Sequence, residues 1–120
     1  MSFTPTGGFN LVTEGWLKVK SGQPVTLPCH LSANTSADAM KVRWFKRSEC
    51  IYLYQSGVEM KAKGWEDRLT LNTKELQYGN LSLTLAEFRG NDAGVYVCQV
   101  QHGEQQTQTE AAVGLSSSRE

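Results

Sequence analysis

The stretch Asp92-Ala93-Gly94-Val95-Tyr96-Val97-Cys98 decides the fold. Its second half runs on into Gln99-Val100-Gln101 in strict alternation, with Tyr96, Cys98 and Val100 on one side and Val97, Gln99 and Gln101 on the other. A period of two is the mark of a strand with one buried and one wet face. Gly94 suits a tight turn where a Cβ would be in the way. Two further runs alternate as cleanly, Val25-Thr26-Leu27-Pro28-Cys29-His30-Leu31 and Leu81-Ser82-Leu83-Thr84-Leu85. Breakers fall between the runs at Ser21-Gly22-Gln23-Pro24, Gln55-Ser56-Gly57, Tyr78-Gly79-Asn80 and His102-Gly103. No segment carries a sustained helical stripe, and only Ala86-Glu87-Phe88-Arg89-Gly90-Asn91-Asp92 suits a single short turn. Many short strands at this spacing predict an all-β antiparallel sandwich.

Bulk properties narrow the functional classes. A chain of 120 residues is expected to hold one domain, and a hydrophobic fraction of 39% suffices for a compact core. The 12 basic residues equal the 12 acidic ones, which gives no support to nucleic-acid binding or to a polybasic membrane patch. Neither end carries a long apolar run, so no spanning helix and no leader is expected within this stretch. Residues 1–8 read as a flexible N-terminal segment, 9–115 as the domain and 116–120 as a linker or tail. Any membrane attachment is expected only through an anchor outside this stretch. His30 and His102 lack the spacing of metal ligands, and no catalytic motif is present. No enzyme, metal or cofactor is expected.

Outward from the opening stretch stand Cys29, some seventy residues before Cys98, and Trp44, about fifteen residues after Cys29. With Tyr96 two residues before Cys98, this is the cysteine, tryptophan, tyrosine, cysteine order of an immunoglobulin-type sandwich. The resemblance implies an inter-sheet Cys29–Cys98 bridge, worth roughly 4 kcal/mol in the loop-entropy account. Trp44 would pack on that bridge, and Tyr96 would turn its hydroxyl onto backbone at the strand corner. The opening stretch matches the family's Asp-x-Gly-x-Tyr-x-Cys motif leading into strand F. Arg68 stands just before Leu69-Thr70-Leu71, where strand D begins, and is expected to form a structural bidentate pair with Asp92. The interval from Trp44 to Arg68 has room for strands C′ (Ile51-Tyr52-Leu53-Tyr54) and C″ (Val58-Glu59-Met60-Lys61), which makes the domain variable type.

Within that class the chain resembles the butyrophilin and myelin oligodendrocyte glycoprotein group and related costimulatory ligands. The matching segments are Val25 to Ser32, Met40-Lys41-Val42-Arg43-Trp44-Phe45, Tyr52-Leu53-Tyr54-Gln55-Ser56-Gly57 and Trp65-Glu66-Asp67-Arg68-Leu69. The last strand, Thr107-Gln108-Thr109-Glu110-Ala111-Ala112-Val113, lacks the Phe-Gly-x-Gly bulge of rearranged antigen receptors. The resemblance implies an extracellular recognition domain at the cell surface, or secreted, that meets another surface protein through its G-F-C-C′-C″ sheet. Homophilic adhesion is the alternative, and a lipid- or glycan-binding receptor ranks below both.

Alternation sorts the candidate contact residues on that sheet. With Val42 and Trp44 inward, Arg43, Phe45 and Arg47 face outward; with Tyr96 and Cys98 inward, Val97, Gln99 and Gln101 join them. Tyr52 and Tyr54 are expected on the same outer face, unless a bulge reverses strand C′. Exposed aromatics beside arginine have the composition of interface hot spots. Lys46 is expected to bury its stem and reach water with its ammonium. Trp65 is expected to cap an edge of the core. Asn34 and Asn80 open Asn-x-Ser/Thr acceptor sequences, and Asn80 is expected to be exposed. Cys50 is the leftover cysteine. Three readings stand open for it: a bystander thiol partly buried against the front sheet, an interchain bridge, or a mate elsewhere in a longer chain.

Overall fold

The computed structural model describes residues 11–12, 16–32 and 35–115. The flexible segment expected at 1–8, the tail at 116–120 and the acceptor Asn34 lie outside the described residues. Among the described residues eleven strands occur in the order β1 Leu11–Val12, β2 Trp16–Val19, β3 Val25–Leu27, β4 His30–Leu31, β5 Lys41–Lys46, β6 Glu49–Gln55, β7 Val58–Lys61, β8 Leu69–Leu71, β9 Leu83–Leu85, β10 Gly94–His102 and β11 Gln105–Leu115. A 3₁₀ turn at Gly90–Asp92 falls inside the short turn expected there, and a second at Thr73–Tyr78 carries no signal that the sequence patterns revealed.

The front layer orders its strands β2-β11-β10-β5-β6-β7, and the back layer is built on β3-β9-β8 with the short β1-β4 pair. Pairing is antiparallel throughout except between β2 and β11. Pro28 offers no N–H and splits β3 from β4. Past that break Leu81 N–H donates to Cys29 O at 2.7 Å and Leu31 N–H to Gly79 O at 2.9 Å, so the back layer continues. In the conventional lettering the front layer is A′-G-F-C-C′-C″ and β3, β9 and β8 are B, E and D.

The inward positions of both layers close one core. Leu27, Cys29, Val42, Trp44, Ile51, Tyr52, Leu83, Leu85, Phe88, Tyr96, Cys98 and Val113 are all fully buried. Trp44 ties the layers together, its Nε1–H donating to Leu81 O at 3.0 Å. Cys29 and Cys98 are buried neighbours; burial first, then Cys29 beside it, pushes the Cys98 thiol well up. Cys29 of the back layer and Cys98 of the front layer are both fully buried, and we propose that they form the inter-sheet bridge.

The lower corner is fixed by polar contacts. Arg68 grips Asp92 with both terminal nitrogens, Nη1 to Oδ1 at 3.1 Å and Nη2 to Oδ2 at 2.6 Å. The Tyr96 hydroxyl donates to Asp92 O at 2.7 Å, which closes the strand corner. Trp65 lies half-buried against the core with the Arg68 guanidinium 5.2 Å and the Lys46 ammonium 6.0 Å from its ring centre. The stem of Lys46 is buried as expected, and its ammonium donates to Asn91 O at 2.6 Å. Gly94 has φ +141°, a region that side-chain-bearing residues rarely enter. A Cβ there would meet only Lys46 Cε at 3.9 Å, so the backbone angle, not lack of space, calls for glycine.

Candidate protein-binding face

The front face is set by register. In an antiparallel ladder residues directly opposite share a face. Gln99 lies opposite Arg43 and Val97 opposite Phe45 on β10 and β5, with Gln101 opposite Lys41. On the other side Val97, Gln99 and Gln101 meet Glu110, Gln108 and Gln106 of β11. Arg43, Phe45, Val97 and Gln101 are half-buried on this outer face. Gln99 is only 8% exposed, because Arg43 Nη1–H donates to its Oε1 at 2.6 Å while its own Nε2–H donates to Gln108 Oε1 at 3.1 Å. Gln99 therefore supports the face more than it contacts anything beyond it.

Two expected face residues are not on the face. The register slips between Trp44 and Phe45: Trp44 pairs with Tyr52 but Phe45 pairs with Cys50, which leaves Ile51 as the extra residue of a β-bulge. Ile51 and Tyr52 both turn inward, and everything beyond is rephased, so that Leu53 faces out and Tyr54 in. Tyr52 is fully buried and Tyr54 is 8% exposed. The Tyr52 hydroxyl donates to Glu59 Oε2 at 2.7 Å. Burial, then that carboxylate, holds Tyr52 well above the usual tyrosine range. The bulge brings Leu53 outward opposite Arg43, with Met60 opposite Leu53 on β7. Met60 and Val58 are each 59% exposed. These apolar positions, not the tyrosines, complete the face.

Arg47 is also displaced from its expected place. Arg47 and Ser48 form the two-residue turn between β5 and β6, with φ of 53° and 72°, so Arg47 sits at the hairpin tip. Cys50 is exposed, not partly buried, and shares the outer face with Phe45. Its Sγ lies 3.4 Å from Tyr52 O, beside a shallow cavity of about 170 Å³ lined by Leu53, Met60, Lys61 and Ala62. Asn80 is half-buried instead of exposed, its side-chain oxygen accepting the Ser82 N–H at 3.1 Å. Among the described residues there is no His, Cys, Asp and Glu group that could hold a metal ion.

Comparison with known proteins agrees with this architecture. The immunoglobulin V-set domain family matches residues 12–116, and the chain belongs to that family. Among its relatives it is similar to human butyrophilin subfamily 2 member A2, 32% identical over 68% of this chain, and to human butyrophilin subfamily 1 member A1, 32% identical over 64%. The chain spans 17% and 16% of the lengths of those two proteins. Among solved structures, bovine butyrophilin superposes with a TM-score of 0.79 at 23% identity over 89% of this chain and 54% of that one. The human B7-H4 IgV-like domain superposes with a TM-score of 0.77 at 16% identity, covering 89% of this chain and 96% of that one. The chain is thus a V-set domain similar in sequence to the butyrophilins.

Proposed function

We propose that this V-set domain is an extracellular recognition module, at a cell surface or secreted, that binds a protein partner through its front sheet. The observation that carries the reading is the apolar set Phe45, Val97, Leu53, Met60 and Val58 on the side of the sheet turned away from the core. Apolar residues in wet positions, with an arginine among them, are what a recognition surface uses and what a solvated sheet face avoids. Membership of the V-set and the likeness to butyrophilins support an immune-type setting and a binding domain, not an enzyme. The test is a screen of the domain against a library of cell-surface ectodomains, followed by the same measurement on Phe45→Ala. Binding should weaken by about tenfold or more if Phe45 lies in the contact. An unchanged affinity with the fold intact would overturn the front-sheet reading.

A further inference from the structure

We propose that the partner surface presents a carboxylate side chain set among apolar ones, and that Arg43 receives it; this deepens the front-sheet reading above and rests on it. Arg43 lies on β5 in the interior of the six-stranded layer, half-buried, between Gln99 on one side and Leu53 on the other. Its guanidinium carries five N–H donors. Among the described residues it is engaged through one hydrogen bond, Nη1–H to Gln99 Oε1 at 2.6 Å, and Gln99 is itself oriented by Gln108 at 3.1 Å. The ion pairs of the described residues, Arg68–Asp92 and Arg89–Glu87, do not involve Arg43 or its face neighbour Lys41. A cation is thus held in place by a glutamine relay, without an ion-pair partner among the described residues, beside Leu53, Met60, Phe45 and Val97.

That combination fits a carboxylate better than other groups. The planar fork of a guanidinium matches a carboxylate two bonds at a time, and charge-assisted bonds of this kind are stronger than neutral ones. Holding the arginine beforehand lowers the ordering cost of binding. Apolar neighbours that exclude water around the pair strengthen it further. Lys41 adds a second positive charge that would steer an acidic partner during approach. A second copy of this chain fits less well. A two-fold contact centred on β5 would bring Arg43 against Arg43, and like charges across an interface oppose association.

The test is a selection of short random peptides, displayed on phage, against the immobilised domain. The pool should become rich in Asp or Glu beside aromatic or aliphatic residues. Synthetic peptides from it should lose about tenfold or more in affinity on Arg43→Gln, and less on Arg43→Lys, which keeps the charge but not the fork. Replacing the peptide's own Glu by Gln should produce a similar loss on the unaltered domain, so the result does not hang on the folding of a variant. A pool without acidic residues, affinities indifferent to both changes, or no binders above background would overturn the proposal. Phe45→Ala separates the two levels. Binding lost on Phe45→Ala but untouched by Arg43→Gln keeps the front sheet and removes the carboxylate. Binding indifferent to both removes the front-sheet reading as well. Self-association in sedimentation that Phe45→Ala abolishes would assign the face to a second copy and overturn the acidic partner.

Discussion

Three N–H donors converge on the Asp92 carboxylate, two from Arg68 and one from the Arg89 backbone at 2.9 Å. Burial alone would raise its pKa, but the Arg68 and Arg89 bonds and the charges of Arg68 and Lys46 outweigh that and hold it below the usual carboxylate range. A folded-state pKa below the unfolded value means stability gained above about pH 4 and lost as pH falls through the folded value. Asp92→Asn should therefore cost about 2–4 kcal/mol at neutral pH, somewhat under a fully buried pair because Arg68 is partly wetted. Urea midpoints in a pH series should show the gap between the two proteins closing below about pH 4. A gap that stays constant to acid would contradict the role given to the ionised carboxylate. The hairpin tip offers an opposite case. Arg47 and Ser48 both carry positive φ, where a β-carbon is strained. Ser48→Gly should stabilise by about 0.5–1 kcal/mol, read as a rise of a few degrees in Tm.

Strand β6 shows how far pattern reading reaches. The framework was legible because its residues have fixed jobs: Cys29 and Cys98 at inward positions, Trp44 reaching across the core, Tyr96 closing its corner, and Arg68 gripping Asp92. Arg43, Phe45 and Val97 came out on the front face because Val42, Trp44, Tyr96 and Cys98 anchored the phase of their strands. Ile51-Tyr52-Leu53-Tyr54 has no such anchor, since all four residues tolerate either side. A bulge adds a residue to one strand and leaves no mark in hydropathy. The turn at Ser56-Gly57 held a partial clue. Both residues take positive φ, and a two-residue turn there sets Tyr54 opposite Glu59 and brings a carboxylate within reach of the Tyr52 hydroxyl. The inward placement of β6 predicts that Tyr52→Ala costs about 3–5 kcal/mol in denaturant unfolding, as expected for a large core side chain. Met60→Ser, on the outer face of β7, should leave stability within about 0.5 kcal/mol. Comparable losses for the two would contradict the rephased strand.

At the scale of the molecule, two buried sulfurs and one open face carry the account. A Cys29–Cys98 bridge predicts that, after air oxidation and denaturation, a thiol reagent labels one cysteine of the three, Cys50, in intact-mass analysis. Reduction should then lower stability by roughly 4 kcal/mol. Three labelled cysteines would show that the thiols stay apart. The central claim, that the front sheet is the recognition surface, is tested most directly by placing a charge on each face in turn. Val97 lies on the front layer opposite Phe45, and Thr70 is exposed on β8 of the back layer. Binding to a partner found among cell-surface ectodomains should fall by about a hundredfold for Val97→Glu and stay within about twofold for Thr70→Glu. The reverse pattern, with Val97→Glu harmless and Thr70→Glu disruptive, would contradict it.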